Sequence, residues 1–130
     1  MNKKVLFLLI LLVISFGCTT TEPVIDNDLH SYDFRLNIID GNTVLFSGLF
    51  GSDEETNAFD AVKISLDNNL EYAEYDFGVF ITSILGVTPK ENEFWSLYIN
   101  GEKATMGISS YNNSDVNLIE FKLEELQTFE

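Results

Sequence analysis

Cys18 is the only cysteine and His30 the only histidine in 130 residues, whereas carboxylates number 21. Nucleophilic catalysis needs a base beside the nucleophile, and a zinc site needs several nitrogen or sulfur ligands at workable spacing. One thiol and one imidazole, both ahead of the folded segments, supply neither. Paired carboxylates do acid-base work in glycosidases, but no spacing here marks out a buried pair. "SDEE", Ser52 to Glu55, lacks the alternating oxygen ligands of a calcium loop, and "DNN" at Asp67 to Asn69 has turn chemistry. The glycines at 41, 48, 51, 78, 86, 101 and 107 are scattered rather than gathered into a phosphate loop. These residues point to binding rather than catalysis, with no catalytic residue, no metal and no resident cofactor expected.

The chemistry that remains for Cys18 is acylation. Lys3 and Lys4 precede "VLFLLILLVISF", Val5 to Phe16, then Gly17, then the cysteine. A charged start followed by an apolar run too short for a comfortable membrane span has the form of a secretion signal. Gly17 and Cys18 resemble the end of a bacterial lipoprotein signal. That resemblance implies cleavage after residue 17 and a diacylglycerol on the Cys18 thiol. Ser15 and Phe16 stand where leucine and a small residue are usual, which keeps plain secretion and an uncleaved anchor as alternatives. Residues 18–30, "CTTTEPVIDNDLH", are too polar to offset ordering entropy and read as a flexible tether. The expected location is extracytoplasmic, with the lipid holding the chain to the membrane.

Charge narrows the partners. Losing Lys3 and Lys4 from the seven basic residues leaves five against 21 acidic ones. Such a surface repels nucleic acid and anionic headgroups, so the expected partners are the membrane, through the lipid, and an uptake or surface protein. With one cysteine no intrachain disulfide forms, and stability must come from packing. Residues 31–130 are enough for one domain and one core.

Within that domain "YDFRLNII" and "TVLFSGLF" alternate around a turn at Asp40 and Gly41, predicting a hairpin. "TNAFDAVKISLDNN" changes period, with Phe59, Val62, Ile64 and Leu66 read as a helix face, Thr56 or Asn57 as N-cap and Asn68 or Asn69 as the stop. "LEYAEYDF", "GVFITSIL" and "FWSLYI" are strand-like. Asn100 and Gly101 form a hairpin turn returning through Lys103 to Met106, and "DVNLIEFKLEEL" closes the chain as a strand. The order predicts an α+β domain of the β-grasp type, a mixed sheet of about six strands packed against one helix.

"FGVFITSILGV", "FWSLYINGEKATMGISSY" and "IEFKLEEL", in that order and spacing, resemble the C-terminal β-domain of the transcobalamin and intrinsic factor family and the bacterial surface proteins of DUF4430 type that carry such a domain alone. "TNAFDAVKIS" matches their helix start, so the resemblance spans most of the folded domain. "NNSDVNLIEF" departs from the Gly-Asp turn usual before the last strand. The resemblance implies a ligand of corrinoid or other tetrapyrrole type, met by Ile81, Leu97 and Ala104 beside Trp95. It also implies that a partner must supply the second half of the site, since the helical barrel of the animal carriers is missing here.

Alternation leaves a choice open. Val79, Ile81 and Ser83 share one face of their strand, and Trp95, Leu97 and Ile99 share one face of theirs, so neighbouring strands would merge into an apolar wall. Only one face lies under the helix. If it is the Trp95 face, Phe94 and Tyr98 are the exposed residues and the candidates for partner binding. Two functions follow: a small-ligand module that works with a partner, or an extracytoplasmic protein-interaction or adhesion module with no small ligand.

Overall fold

Tyr32–Asp40 (β1) and Thr43–Ser52 (β2) pair antiparallel with Asp40 opposite Thr43, as the alternation predicts. The computed structural model describes residues 32–128. Residues 1–17, expected to be a signal sequence, Cys18 and the expected tether through His30 lie outside the described residues. The other strands are Leu70–Tyr75 (β3), Gly78–Ile84 (β4), Glu93–Ile99 (β5), Glu102–Lys103 (β6) and Leu118–Glu125 (β7).

β7 is the hub. It runs parallel to β1, with Leu36 opposite Ile119 and Ile38 opposite Phe121, and antiparallel to β5, with Leu97 opposite Phe121. The sheet order is β2-β1-β7-β5-β6, and β3 pairs with β4 in a separate two-stranded sheet. The expected α+β architecture, a mixed sheet with one helix, is present among the described residues, whose seven strands divide five and two. β4 and β5 are not hydrogen-bonded neighbours, because β5 is paired with β7 and β6 while β4 is paired with β3. No continuous wall joins them.

The helix, Ala58–Ser65 (α1), starts where local chemistry dictates: Asn57 has extended backbone and its side-chain oxygen accepts from the Phe59 N–H. Beyond the Leu66 cap, Asp67 and Asn68 take positive φ and stop it. Ala58, Phe59, Ala61 and Val62 are buried. Ile64 is not part of that face: it is 75% exposed, because five residues at about 100° each place it roughly 140° around from Phe59.

α1 packs on the Trp95 side of the sheet. Phe34, Leu36 and Ile38 of β1, Ile119 and Phe121 of β7 and Trp95 of β5 share one core with Ala58, Phe59, Val62, Ile81, Ile84 and Ile108. Leu97, Ile99 and Leu123 pack against it. In β2 the rings of Phe46 and Phe50 stack at 5.8 Å across Gly48, where a Cβ would come within 2.7 Å of the Phe50 ring. The opposite face carries Arg35, Asn37, Glu120, Lys122, Glu124, Phe94 and Tyr98, as the pairing register requires.

Phe121 is 1% exposed at the centre of this core, whereas Phe80 of β4 is 50% exposed. Phe121→Ala should lower the unfolding free energy by about 3–5 kcal/mol and Phe80→Ala by less than about 1 kcal/mol. Urea unfolding followed by circular dichroism measures both, and equal losses would contradict the assigned faces.

Candidate functional site

The β5–β6 turn positions an open recess in the described part of the molecule. Asn100 and Gly101 both take positive φ, 53° and 86°, which a tight hairpin needs and which suits this pair of residues. Asn100 does more than turn the chain. Its side-chain oxygen accepts from the N–H groups of Asn117 at 2.8 Å and Leu118 at 3.1 Å, and its amide donates to the Asp115 carbonyl at 3.2 Å. The hairpin is thereby tied to the loop that leads into β7.

After Lys103 the expected returning arm ends early. Ala104 N–H still donates to the Leu97 carbonyl, but residues 105–107 leave the sheet and enter a 3-10 turn at Ile108–Ser110. A second such turn, Asn113–Asp115, follows. Asparagines pin this segment to the start of α1. Asn57 Nδ2 donates to the Ser109 carbonyl at 2.7 Å, and the Ala58 N–H donates to the Tyr111 carbonyl at 2.9 Å. Asn113, 2% exposed, accepts from the Thr56 N–H at 2.9 Å and donates to the Glu54 carbonyl at 3.0 Å. A buried amide satisfied in this way fixes the loop, since leaving its partners unmet costs about 1–3 kcal/mol.

Between hairpin and loop lies an open cleft of about 710 Å³. Ile99, Ala104, Met106 and Tyr111 give it apolar surface, and Asn100, Lys103 and Asp115 are among its polar lining. The volume is in the range of small-molecule sites, and six of the ten lining residues are polar or charged.

Of the sequence-derived positions, Ala104 lines this cleft. Ile81 and Trp95 are 8% and 7% exposed in the core, and the Trp95 indole N–H donates to the Val87 carbonyl at 3.2 Å. Leu97 is half-buried against the core. Phe94 and Tyr98 lie on the opposite sheet face, half-buried, with Lys103 5.5 Å over the Phe94 ring and Lys122 4.2 Å over Tyr98. Cys18 lies outside the described residues. The sequence reading passed over Met106, Tyr111 and Asp115 as cleft residues. The Asn-Gly turn was the one available signal, and it located the hairpin without showing that the chain beyond Ala104 would bend away.

Polar chemistry is concentrated on the other face. Glu124 accepts from the Tyr98 hydroxyl at 2.5 Å and from Lys103 at 2.7 Å, and Lys122 pairs with Glu120 at 3.5 Å. Burial pushes the Glu124 pKa up, but hydrogen bonds from Lys103 and Tyr98 outweigh it and hold the carboxyl below its ordinary 4.5. The Glu124 hydrogen bond, aided by burial, raises Tyr98, and the same carboxylate raises Lys103. No group of three or more His, Cys, Asp or Glu side chains that could hold a metal occurs among the described residues.

A carboxyl with a lowered folded pKa stabilises the fold above its unfolded pKa, and that contribution is lost as pH falls through the folded one. Glu124→Gln should therefore lower the Tm at neutral pH, on the order of a degree or two for a largely solvated cluster. The gap from the native chain should close as pH drops below the ordinary carboxylate range. A gap that widens in acid would reverse the sign argued here.

Comparisons with known proteins bear on the fold. A crystal structure of a protein from Ruminococcus gnavus, provisionally described as metal binding, superposes with a TM-score of 0.57 at 21% identity, covering 72% of this chain and 96% of that one. Haptocorrin in complex with Cbi superposes with a TM-score of 0.53 at 16% identity, over 73% of this chain. The match spans only 26% of haptocorrin. Both are described by what they bind rather than by a reaction, and identities this low establish shared fold alone. No curated protein matches the sequence. Residues 56–125, more than half of the chain and including α1, the cleft and β7, match the model of a domain of unknown function, and the chain belongs to that family, DUF4430.

Proposed function

We propose that this chain is a lipid-anchored extracytoplasmic module whose β5–β6 cleft holds one side of a corrinoid or other tetrapyrrole ligand while a partner protein covers the other side. The observation that carries the reading is the cleft of about 710 Å³ at Ala104, formed by the hairpin for which the sequence resemblance implies ligand contact. The fold shared with haptocorrin supports it. The match spans only 26% of that protein, and the second ligand wall is assigned here to the partner. A ligand covered on one side forfeits much of its affinity, which makes handover rather than tight storage the natural role.

Titration of the protein with cobinamide or cobalamin, followed by the ligand absorption band, should give saturable binding weaker than about micromolar. Ala104→Arg, which fills the cleft, should weaken it by about tenfold or more. Ile81→Ala should lower stability and leave the ligand affinity nearly unchanged. No spectral change at high micromolar ligand would sink this reading.

The adhesion reading draws on a different feature. Tyr75, Phe77 and Phe80 at the β3–β4 hairpin are 54%, 77% and 50% exposed, and the Tyr75 and Phe77 rings stack at 5.0 Å. A silent titration, combined with partner capture that Phe77→Ser abolishes, would favour it.

Anchoring is supported by the sequence around Gly17 and Cys18. Cys18→Ser should shift the protein from the membrane to the soluble fraction and remove label incorporated from radioactive palmitate. Unchanged fractionation with no label in the native chain would point to plain secretion or an uncleaved anchor.

A further inference from the structure

We propose that the outer edge of β2 is a strand-addition site for an extended segment of another protein, uncharged through its middle and carrying Lys or Arg at the end that lies nearest Asp33 and Glu54. Strand edges are templates for pairing, and proteins usually blunt them with charge, proline, brevity or cover. The other edges here show those devices. β6 is two residues long and both are charged, and β3 bears Glu71 and Glu74. β4 has its Val79 N–H bonded by the Ser109 hydroxyl at 3.3 Å and exchanges bonds with Val87 at Ile84.

Among the described residues β2 has none of them. It ends the strand order, and its ten residues, "TVLFSGLFGS", contain no charge and no proline. No backbone hydrogen bond beyond its ladder with β1 involves these residues among those described. Leu49 is 65% and Val44 59% exposed, while Phe46 and Phe50 are half-buried and stacked across Gly48. The register shift opposite Ile38 and Ile39 falls at Leu45, so the segment from Phe46 to Ser52 is the regular part of the edge. An added strand would cover the flanks of both phenylalanine rings on one face and Leu49 on the other.

Charge selects the occupant. Asp40 lies at one end of β2, and Asp33, Asp53, Glu54 and Glu55 lie at the other, with Arg35 opposite Leu49. A second copy paired antiparallel would set the Asp40 end of one chain against the Glu54 end of the other, and a parallel pair would set like ends together. Either costs repulsion, whereas a basic flank gains attraction and steering.

The test uses the ¹⁵N-labelled full chain and a synthetic nonapeptide of alternating valine and threonine extended by two lysines, with a two-glutamate version as control. The lysine peptide should shift amide resonances of Phe46 to Ser52 saturably and bind about tenfold tighter than the control. Charge reversal at exposed positions, Asp33→Lys with Glu54→Lys, should invert that preference. Shifts centred elsewhere, none at about millimolar peptide, an unchanged preference in the reversed variant, or concentration-dependent dimerisation through the same residues would each overturn the proposal.

Discussion

Parallel pairing of β1 with β7 is the constraint on which the rest of this fold depends. A parallel pair cannot be closed by a tight turn, so part of the chain between the two strands must cross the face of the sheet. Here the returning chain comprises α1, the β3–β4 hairpin, the Leu85 to Val87 bend and the two 3-10 turns. Their buried side chains, from Ala58 and Phe59 through Ile81 and Ile84 to Ile108 and Val116, meet the Phe34, Leu36, Ile38, Ile119 and Phe121 face. The other face is left to Asn37, Tyr98, Glu120, Lys122 and Glu124, which satisfy one another.

Long crossovers need fastening, and asparagine does that work three times. Asn57 caps α1 and holds Ser109, Asn100 turns the hairpin and holds the loop before β7, and Asn113 holds the chain ahead of α1. Two of these were legible. An N-cap and an Asn-Gly turn are local events, specified by neighbours in sequence. Asn113 lies in "NNSD", whose composition says only loop, and its role depends on Thr56 and Glu54, more than fifty residues away. No periodicity encodes such a contact.

Alternation had the same reach and the same limit. It located the six longer strands, and it separated Trp95, Leu97 and Ile99 from Phe94, Ser96 and Tyr98. It could not say which set is covered, because both contain aromatic residues. Nor could it show that β4 pairs with β3 alone, since strand partners depend on register and crossover rather than on composition. The open face tolerates its rings because lysine side chains lie across them, Lys103 on Phe94 and Lys122 on Tyr98. Ile64 misled for a related reason: on eight residues of helix, hydrophobic identity does not distinguish a core position from a surface one.

The sheet order also separates the two proposed binding surfaces. The cleft sits on β5 and β6, the unprotected edge on β2, and β1 and β7 lie between them. At roughly 4.8 Å per strand, β2 and β6 are about 19 Å apart across the sheet, far enough for a ligand and a polypeptide to be held without collision. A strand added to β2 extends the sheet in its own plane and leaves the cleft open. Under the proposed function, the second wall for a half-covered ligand would then come from a different surface of the partner, reaching around the sheet, or from a second protein. Strand addition alone would tether the partner beside the ligand and raise its effective concentration at the cleft without covering it.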